Sequence, residues 1–88
     1  MENSAVLAGR PEHAARAWRQ SASLAARHDM PYDRALALEA LATALPVGDP
    51  ERRRGLERAL TLLEPLGATE DATRVRALFA AAGSAAAG

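Results

Sequence analysis

Apolar side chains recur at helical spacing in four stretches of the chain, and Gly or Pro separates each stretch from the next. Each stretch begins with a proline, a capping residue or an acidic residue, which is typical of the first turn of a helix. We therefore predict four helices, over residues 11–28, 31–45, 50–66 and 69–82.

Every predicted helix has one apolar stripe that should face a core. Trp18 is the single Trp of the chain, and we interpret it as a packing anchor of the first stripe. Asp29 is predicted to cap the second helix, and Asp49 the third. The stripes comprise Ala14, Trp18, Ala22 and Ala25; Leu38, Leu41, Ala42 and Leu45; Leu56, Ala59, Leu60 and Leu63; and Val75, Leu78, Phe79 and Ala82.

The helical segments repeat one another along the chain. Gly9-Arg10-Pro11-Glu12 recurs as Gly48-Asp49-Pro50-Glu51, at an offset of i to i+39. Trp18 corresponds to Leu56 at an offset of i to i+38. Self-similarity at this period predicts stacked helical hairpins, because a single hairpin is too small to bury its own apolar face.

These residues also resemble a known repeat family. Leu38-x2-Leu41-Ala42-x2-Leu45 resembles the first helix of a tetratricopeptide repeat, and Ala14-x3-Trp18 resembles its second helix. The i to i+38 period and the break at Leu66-Gly67-Ala68 are more similar to the C-terminal repeats of LuxR-type ATPase regulators and related bacterial signalling proteins. The resemblance covers residues 9–83 and implies a non-catalytic, regulatory protein-interaction module of bacterial origin.

We expect an all-α fold of antiparallel helical hairpins in a short, TPR-like right-handed repeat stack. Residues 1–83 should form one domain that opens with a helix stub over residues 1–8, and residues 84–88 a disordered tail. A four-helix up-and-down bundle is the alternative. In a stack the helix at 11–28 barely touches the helix at 69–82, whereas a closed bundle packs these two helices together.

The predicted stack is incomplete at its N-terminal end. Leu38 corresponds to Val75 at an offset of i to i+37, so the preceding equivalent position falls at Met1. An array with fewer than about three repeats leaves apolar faces open. We therefore expect an open face around Val6, Leu7 and Trp18, and either marginal stability or self-association through it. The chain would then be the terminal part of a larger array.

Composition supports helices and limits the partners. Alanine supplies 23 of the 43 apolar residues, isoleucine is absent, and aromatic residues make up 3% of the chain, so a sheet is implausible. Eleven Arg balance eleven Asp and Glu, which leaves no large basic surface for nucleic acid or anionic lipid. The chain has no cysteine, no long apolar run and an acid near its N-terminus, so we expect a cytoplasmic protein without a membrane partner.

Candidate chemistry is sparse, and we predict neither an enzyme nor a cofactor. His13 and His28 lie in one predicted helix without a ladder of metal ligands, so no metal site is expected. No Gly-rich phosphate loop or nucleophile with a paired base occurs. Arg52, Arg53 and Arg54 are adjacent on a helix and point about 100° apart, so they cannot present one phosphate-binding face.

A second resemblance provides the alternative function. Residues 24–38 resemble a DNA-binding helix-turn-helix, with an alanine, a turn residue and a following apolar helix. However, Asp29 replaces the usual turn glycine, and Asp33 would repel DNA from the candidate recognition helix. The repeat explains the same residues without DNA.

Partner contacts are predicted on the helices at 31–45 and 69–82, which correspond to the first helix of a tetratricopeptide repeat and which we call the first-type helices. The tetratricopeptide resemblance implies that these helices line a concave surface, so the candidates are polar or small residues that flank the apolar stripes. The simpler interpretation is that Glu39 and Arg76 are solvated charges that pair with each other. The predicted partner-binding residues are Glu39, Thr43, Thr73, Arg76 and Ala80.

Overall fold

The computed structural model describes residues 11–87, and the prediction of an all-α fold is confirmed. Four helices follow one another: α1 (Pro11–Arg27), α2 (Pro31–Ala44), α3 (Pro50–Leu63) and α4 (Thr69–Ala87). No strand occurs between residues 11 and 87. The predicted stub over residues 1–8, with Val6 and Leu7, lies outside the described residues.

The sequence repeat is visible in the backbone hydrogen bonds that end α1 and α3. After α1, the N–H of Met30 donates to the carbonyl of Ala25 at 2.8 Å. After α3, the N–H of Ala68 donates to the carbonyl of Leu63 at 3.3 Å. Both bonds reach back five residues, as in a Schellman C-cap. The two donors and the two acceptors are each related by the same i to i+38 offset, so the helices end in equivalent turns.

Asp29 and Gly67 occupy the left-handed position of these two turns, with φ values of 55° and 72°. The prediction that Asp29 caps α2 is therefore wrong, since this residue closes α1 instead. Met30 precedes α2, and its side chain makes no capping hydrogen bond. The Asp49 cap of α3 is confirmed, because its carboxylate accepts a hydrogen bond from the N–H of Glu51 at 2.8 Å.

The helices pack in chain order, as expected for a repeat stack. α1 packs on α2, α2 on α3 and α3 on α4, whereas α1 and α4 share no packed interface. The result is a slab of about 39 × 37 × 20 Å that is two helices thick. The packing that would close a four-helix bundle is thus missing between α1 and α4.

The core lies where α2, α3 and α4 meet. Its largest side chains, Leu56, Leu63 and Val75, have 0% exposure. These residues were predicted from the helical stripes, and their burial is confirmed. Small residues fill the space between them, and half-buried apolar residues surround them. The small residues are Ala35, Ala42, Ala59 and Ala72, and the surrounding ones include Leu38, Leu60, Leu62, Leu78 and Phe79.

α2 and α3 approach each other closely at Gly55. A Cβ atom at this position would lie 3.4 Å from the carbonyl oxygen of Leu38 and 3.7 Å from the Cβ of Ala42. One turn earlier, the guanidinium of Arg52 donates hydrogen bonds to the carbonyls of Ala42 and Leu45, at 2.9 and 3.1 Å. This arginine therefore binds two carbonyl groups at the C-terminal end of α2, of which the carbonyl of Ala42 also accepts the N–H of Leu45.

α4 is longer than predicted. The sequence indicated a helix end before Gly83 and a disordered tail over residues 84–88, but α4 continues through Gly83 to Ala87. Three consecutive alanines follow Ser84. Their high helix propensity offsets the cost of about 1 kcal/mol for a glycine inside a helix.

Candidate interaction surfaces

The interface between α1 and α2 is built from alanines on the α1 side. Ala15, Ala22 and Ala25 are the buried residues of α1, while Trp18 remains 40% exposed and Leu24 50% exposed. The prediction that Trp18 anchors a core is therefore wrong. Because short side chains bring the two helices close together, the indole has no space between them and lies over their edge.

The repeat explains which side of α1 carries Trp18. Its counterpart in α3, Leu56, is fully buried in the core formed with α2 and α4. α2 covers that side of α3, since Leu56 packs in one cluster with Ala35 and Ala42. Among residues 11–87, no helix covers the equivalent side of α1.

A groove runs along this uncovered side, and we call it the Trp18 groove. Its volume is about 530 Å³. Ala25 and Ala37 form a buried floor, whereas the larger side chains of Trp18, Leu24 and Leu36 stand at its sides. A floor of small residues between bulky ones leaves holes for the side chains of a further helix. The full lining is Trp18, Ser21, Leu24, Ala25, His28, Met30, Asp33, Leu36 and Ala37.

The α1 side of the Trp18 groove corresponds to the surface that α2 covers on α3. Ser21 and Ala25 are the counterparts of Ala59 and Leu63 in the repeat, and both of these α3 residues have 0% exposure. Trp18 and Ser21 are exposed in α1, whereas their counterparts Leu56 and Ala59 are fully buried in α3. This difference identifies the groove as a candidate binding surface.

A second groove has an opposite chemical character, and we call it the arginine cleft. It lies between α1, α2 and α3 and has a volume of about 520 Å³. Five arginines and one glutamate line it around an apolar floor. The charged residues are Arg19, Arg27, Arg34, Arg54, Arg58 and Glu51, and the others are Ala22, Ser23, Ala26, Leu38, Leu41 and Gly55.

The glutamate of the arginine cleft is already paired. Both carboxylate oxygens of Glu51 accept hydrogen bonds from the guanidinium of Arg19 at 2.8 Å. These bonds lower the pKa of Glu51 and raise that of Arg19. The pair connects α1 to α3 across the end of α2. It leaves Arg27, Arg34, Arg54 and Arg58 as the other charges of the cleft.

A network of polar side chains connects α2 to α4. Arg74 makes two hydrogen bonds to the carboxylate of Glu39, at 2.7 and 2.8 Å, and a third to Asp71 at 2.7 Å. The Tyr32 hydroxyl donates to Asp71 at 2.8 Å. The Tyr32 and Arg74 bonds lower the pKa of Asp71, and the bond to Asp71 raises the pKa of Tyr32.

The predicted partner-binding residues lie on α2 and α4. Glu39 contacts Arg74, whereas Arg76 donates to Glu64 at 3.0 Å, so these two residues do not pair with each other. Thr43 is exposed, and its hydroxyl donates to the carbonyl of Ala40 in its own helix. Thr73 and Ala80 are exposed on α4. Their role as partner contacts stays a prediction.

The adjacent arginines of α3 have three different environments, as their spacing predicted. Arg52 caps α2, while the guanidinium of Arg53 lies 5.3 Å from the centre of the Phe79 ring. Arg54 lines the arginine cleft. The cleft itself was missed at the sequence level, because the overall charge of zero conceals arginines that three separate helices bring together.

Other candidate chemistry is sparse in the part of the chain that the structure describes. Between residues 11 and 87, no three His, Cys, Asp or Glu side chains come together as metal ligands. None of the four helices is long and apolar enough to cross a membrane. Comparison with family models, curated proteins and solved structures found no match to this chain.

Proposed function

We propose that this protein is a non-catalytic helical-repeat module that binds another protein through the Trp18 groove. The observation that carries the proposal is the exposure of Trp18, Leu24 and Met30 along one groove. Contiguous exposed apolar surface is typical of protein-binding sites. A regulatory role in the bacterial cytoplasm, as the TPR-like resemblance implies, is part of the same proposal.

The proposed occupant is an amphipathic helix with alternating small and leucine side chains. α2 has this character, since it presents Ala35, Leu38 and Ala42 to the core around α3. A helix with the same spacing would place its leucines over Ala25 and Ala37. The exposed His28 and Asp33 stand at the rim, where the polar residues of the incoming helix would lie.

The proposal is testable with a synthetic peptide that has the sequence of α2, Pro31–Ala44. Because Trp18 is the only Trp, its fluorescence reports on the groove directly. We expect the peptide to shift the emission to shorter wavelength as it covers the indole. A matched peptide with aspartate in place of Leu38 should leave the emission unchanged.

Variants of the full chain locate the binding site. Leu24→Asp places a charge in the wall of the Trp18 groove and should weaken the binding of the α2 peptide about tenfold or more. Leu66→Asp is the matched control, because Leu66 is similarly exposed, at 48%, and lies outside the groove. Equal weakening by both substitutions, or no binding of either peptide, would contradict the proposal.

Sedimentation of the free chain separates two possible sources of the helix. A dimer that Leu24→Asp dissociates would keep the interaction function and make a second copy the partner. This outcome would match the predicted self-association through Val6, Leu7 and Trp18. A monomer that binds the α2 peptide favours a different protein as the source of the helix.

The structure provides little support for the alternative DNA-binding function. α2 would be the recognition helix, but it is packed between α1 and α3, and its only exposed residues are Tyr32, Asp33 and Thr43. A recognition helix needs a continuous exposed face for the major groove. Tight and strongly salt-dependent binding to mixed-sequence duplex DNA, unaffected by Leu24→Asp, would favour DNA over the protein partner.

The predicted row on the first-type helices is a separate proposal within this function. Arg76→Glu replaces the ion pair with Glu64 by two negative charges, on the exposed surface of the molecule. If the row contacts the partner, this substitution should weaken binding about five- to hundredfold without a loss of helicity. Glu39→Arg would also break the pair with Arg74, so its effect on stability has to be measured alongside binding.

A further inference from the structure

We propose that the arginine cleft binds an acidic peptide segment of a protein partner. The proposal concerns a different surface from the Trp18 groove. No residue lines both, because the cleft and the groove lie on opposite sides of the α1–α2 pair. Either site can therefore exist without the other.

The positive charges of the cleft come from three helices that only the fold brings together. Arg27 ends α1 and Arg34 lies in the first turn of α2, so both lie at the end of the cleft near the α1–α2 turn. Arg54 and Arg58 are four residues apart on α3 and share one face. Among the described residues, none of these four arginines forms a salt bridge with a carboxylate.

The concentration of like charge has an electrostatic consequence. The cleft is lined by the neutral Arg19–Glu51 pair and by four further arginines, so the lining carries a net charge of +4. These arginines are Arg27, Arg34, Arg54 and Arg58. Charges within about 10 Å of one another interact at moderate ionic strength. A bound anion would relieve this repulsion, and guanidinium groups bind carboxylates with two parallel hydrogen bonds.

The floor of the cleft indicates which kind of anion fits. Ala22, Ala26, Leu38 and Leu41 present aliphatic carbon between the arginines. A small inorganic anion would leave this apolar surface uncovered, whereas a peptide with glutamates between leucines or alanines would cover it. The zero net charge of the whole chain also disfavours the long polyanion of a nucleic acid. The combination matches an acidic peptide with apolar side chains.

The test uses the full chain and two short fluorescein-labelled peptides. One repeats Glu-Leu-Glu-Ala, and its matched control repeats Gln-Leu-Gln-Ala. Fluorescence anisotropy at low ionic strength should show binding of the acidic peptide, at least about tenfold tighter than the amide control. Added salt should weaken the binding of the acidic peptide and leave the binding of the control peptide unchanged, because only the acidic peptide binds through its charge.

Substitutions then locate the binding. Arg54→Glu and Arg58→Glu reverse exposed charges of the cleft, and each should weaken the acidic peptide about tenfold. Arg16→Glu makes the same change of charge on α1 at an exposed position outside the cleft, and it should leave the affinity unchanged. Far-ultraviolet circular dichroism verifies that all three variants keep their helicity. The milder Arg54→Gln and Arg58→Gln replace any variant that does not fold.

Three results would overturn the proposal. The first is equal binding of the acidic and amide peptides, and the second is equal weakening by Arg16→Glu and Arg58→Glu. The third is displacement of the labelled acidic peptide by duplex DNA at a lower concentration than the unlabelled acidic peptide requires. Trp18→Ala alters the Trp18 groove without changing a charge and should leave the acidic peptide bound, so failure at the Trp18 groove and failure at the arginine cleft are distinguishable.

Discussion

α1 and α3 hold equivalent places in the repeat, yet they bury different kinds of side chain. α3 buries Leu56 and Leu63 completely, whereas α1 buries only alanines and leaves Trp18 and Leu24 at the surface. The two helices end in the same hydrogen-bonded turn, so their local conformations do not cause the difference. The cause is the number of neighbours, because α3 packs between α2 and α4 while α1 packs on α2.

This comparison shows that an apolar stripe does not determine burial by itself. Trp18, Ala22 and Ala25 of α1 occupy the repeat positions of Leu56, Leu60 and Leu63 of α3, but burial also requires a second helix on the correct side. A fully buried leucine contributes about 1.5–3 kcal/mol relative to an exposed one, and an alanine methyl less. α1 is therefore bound to the rest of the molecule by less hydrophobic free energy than α3.

The largest expected effect is a difference between two truncations at equivalent positions. Leu56→Ala should lower the free energy of unfolding by about 2–5 kcal/mol, because it leaves a cavity in a fully packed site. Trp18→Ala should cost less, about 1 kcal/mol in the isolated chain, because Trp18 is 40% exposed and its removal leaves no enclosed cavity. Urea denaturation followed by circular dichroism measures both. Similar losses for the two variants would show that α1 and α3 are equally buried.

A pair of enlargements gives the next largest effect. Gly55→Leu should cost about 1–3 kcal/mol, since even a Cβ atom there meets α2 at ordinary contact distance. Ala17, the counterpart of Gly55 in α1, is exposed, so Ala17→Leu should be close to neutral. Thermal unfolding midpoints of the two variants provide the comparison. A large loss for Ala17→Leu would mean that a neighbour covers this side of α1.

The equivalent turns predict opposite effects of about 1 kcal/mol. Gly67→Ala introduces a side chain at a positive φ and should cost about 1–2 kcal/mol. Asp29→Gly removes a side chain from the same conformation and a negative charge from the end of α1, so it should stabilise by up to about 1 kcal/mol. Chemical denaturation of both variants measures the difference. If both destabilise, the two turns are not energetically equivalent.

The smallest effect expected is a pH dependence of the links between non-adjacent helices. Hydrogen bonds from Arg19 lower the pKa of Glu51, and bonds from Tyr32 and Arg74 lower the pKa of Asp71. A lowered pKa in the folded state stabilises it above the ordinary pKa values of 4.5 and 3.8. That contribution disappears as the pH falls through the folded-state values.

Denaturation near neutral pH and at about pH 3 should therefore show a small loss of stability in acid, since both pairs are screened by water. Glu51→Gln should reduce this loss, because it removes the Arg19 ion pair. Glu57→Gln, on the exposed side of the same helix, is the control. An unchanged pH dependence in Glu51→Gln would show that the Arg19 pair does not contribute.

Local features of the fold were predictable from the chain. Pro50 after Asp49 marked the start of α3, and Gly67 marked the turn that follows its end at Leu63, because Pro restricts and Gly widens the allowed backbone angles. The burial of Leu56 and Val75 followed from helical periodicity. These signals act within a few residues, so a single sequence contains them.

Features that depend on the relative rotation of helices were not predictable. Asp29 was interpreted as a cap because aspartate favours that role, but the left-handed turn after α1 takes precedence. Arg34 and Arg58 are far apart in the chain, and only packing of α2 on α3 places them in one cleft. Their juxtaposition therefore has no signature in the sequence.

The absence of a packed interface between α1 and α4 has a consequence for local unfolding. α1 is held mainly by α2 and by the Arg19–Glu51 pair, so it can open while Leu56, Leu63 and Val75 stay packed. Its amide protons should accordingly exchange with solvent through openings that cost less free energy than global unfolding. A ligand that contacts α1 and α2 together would slow this exchange, because it binds only the closed form. Binding in the Trp18 groove or in the arginine cleft would thus be measurable as slower amide exchange of α1.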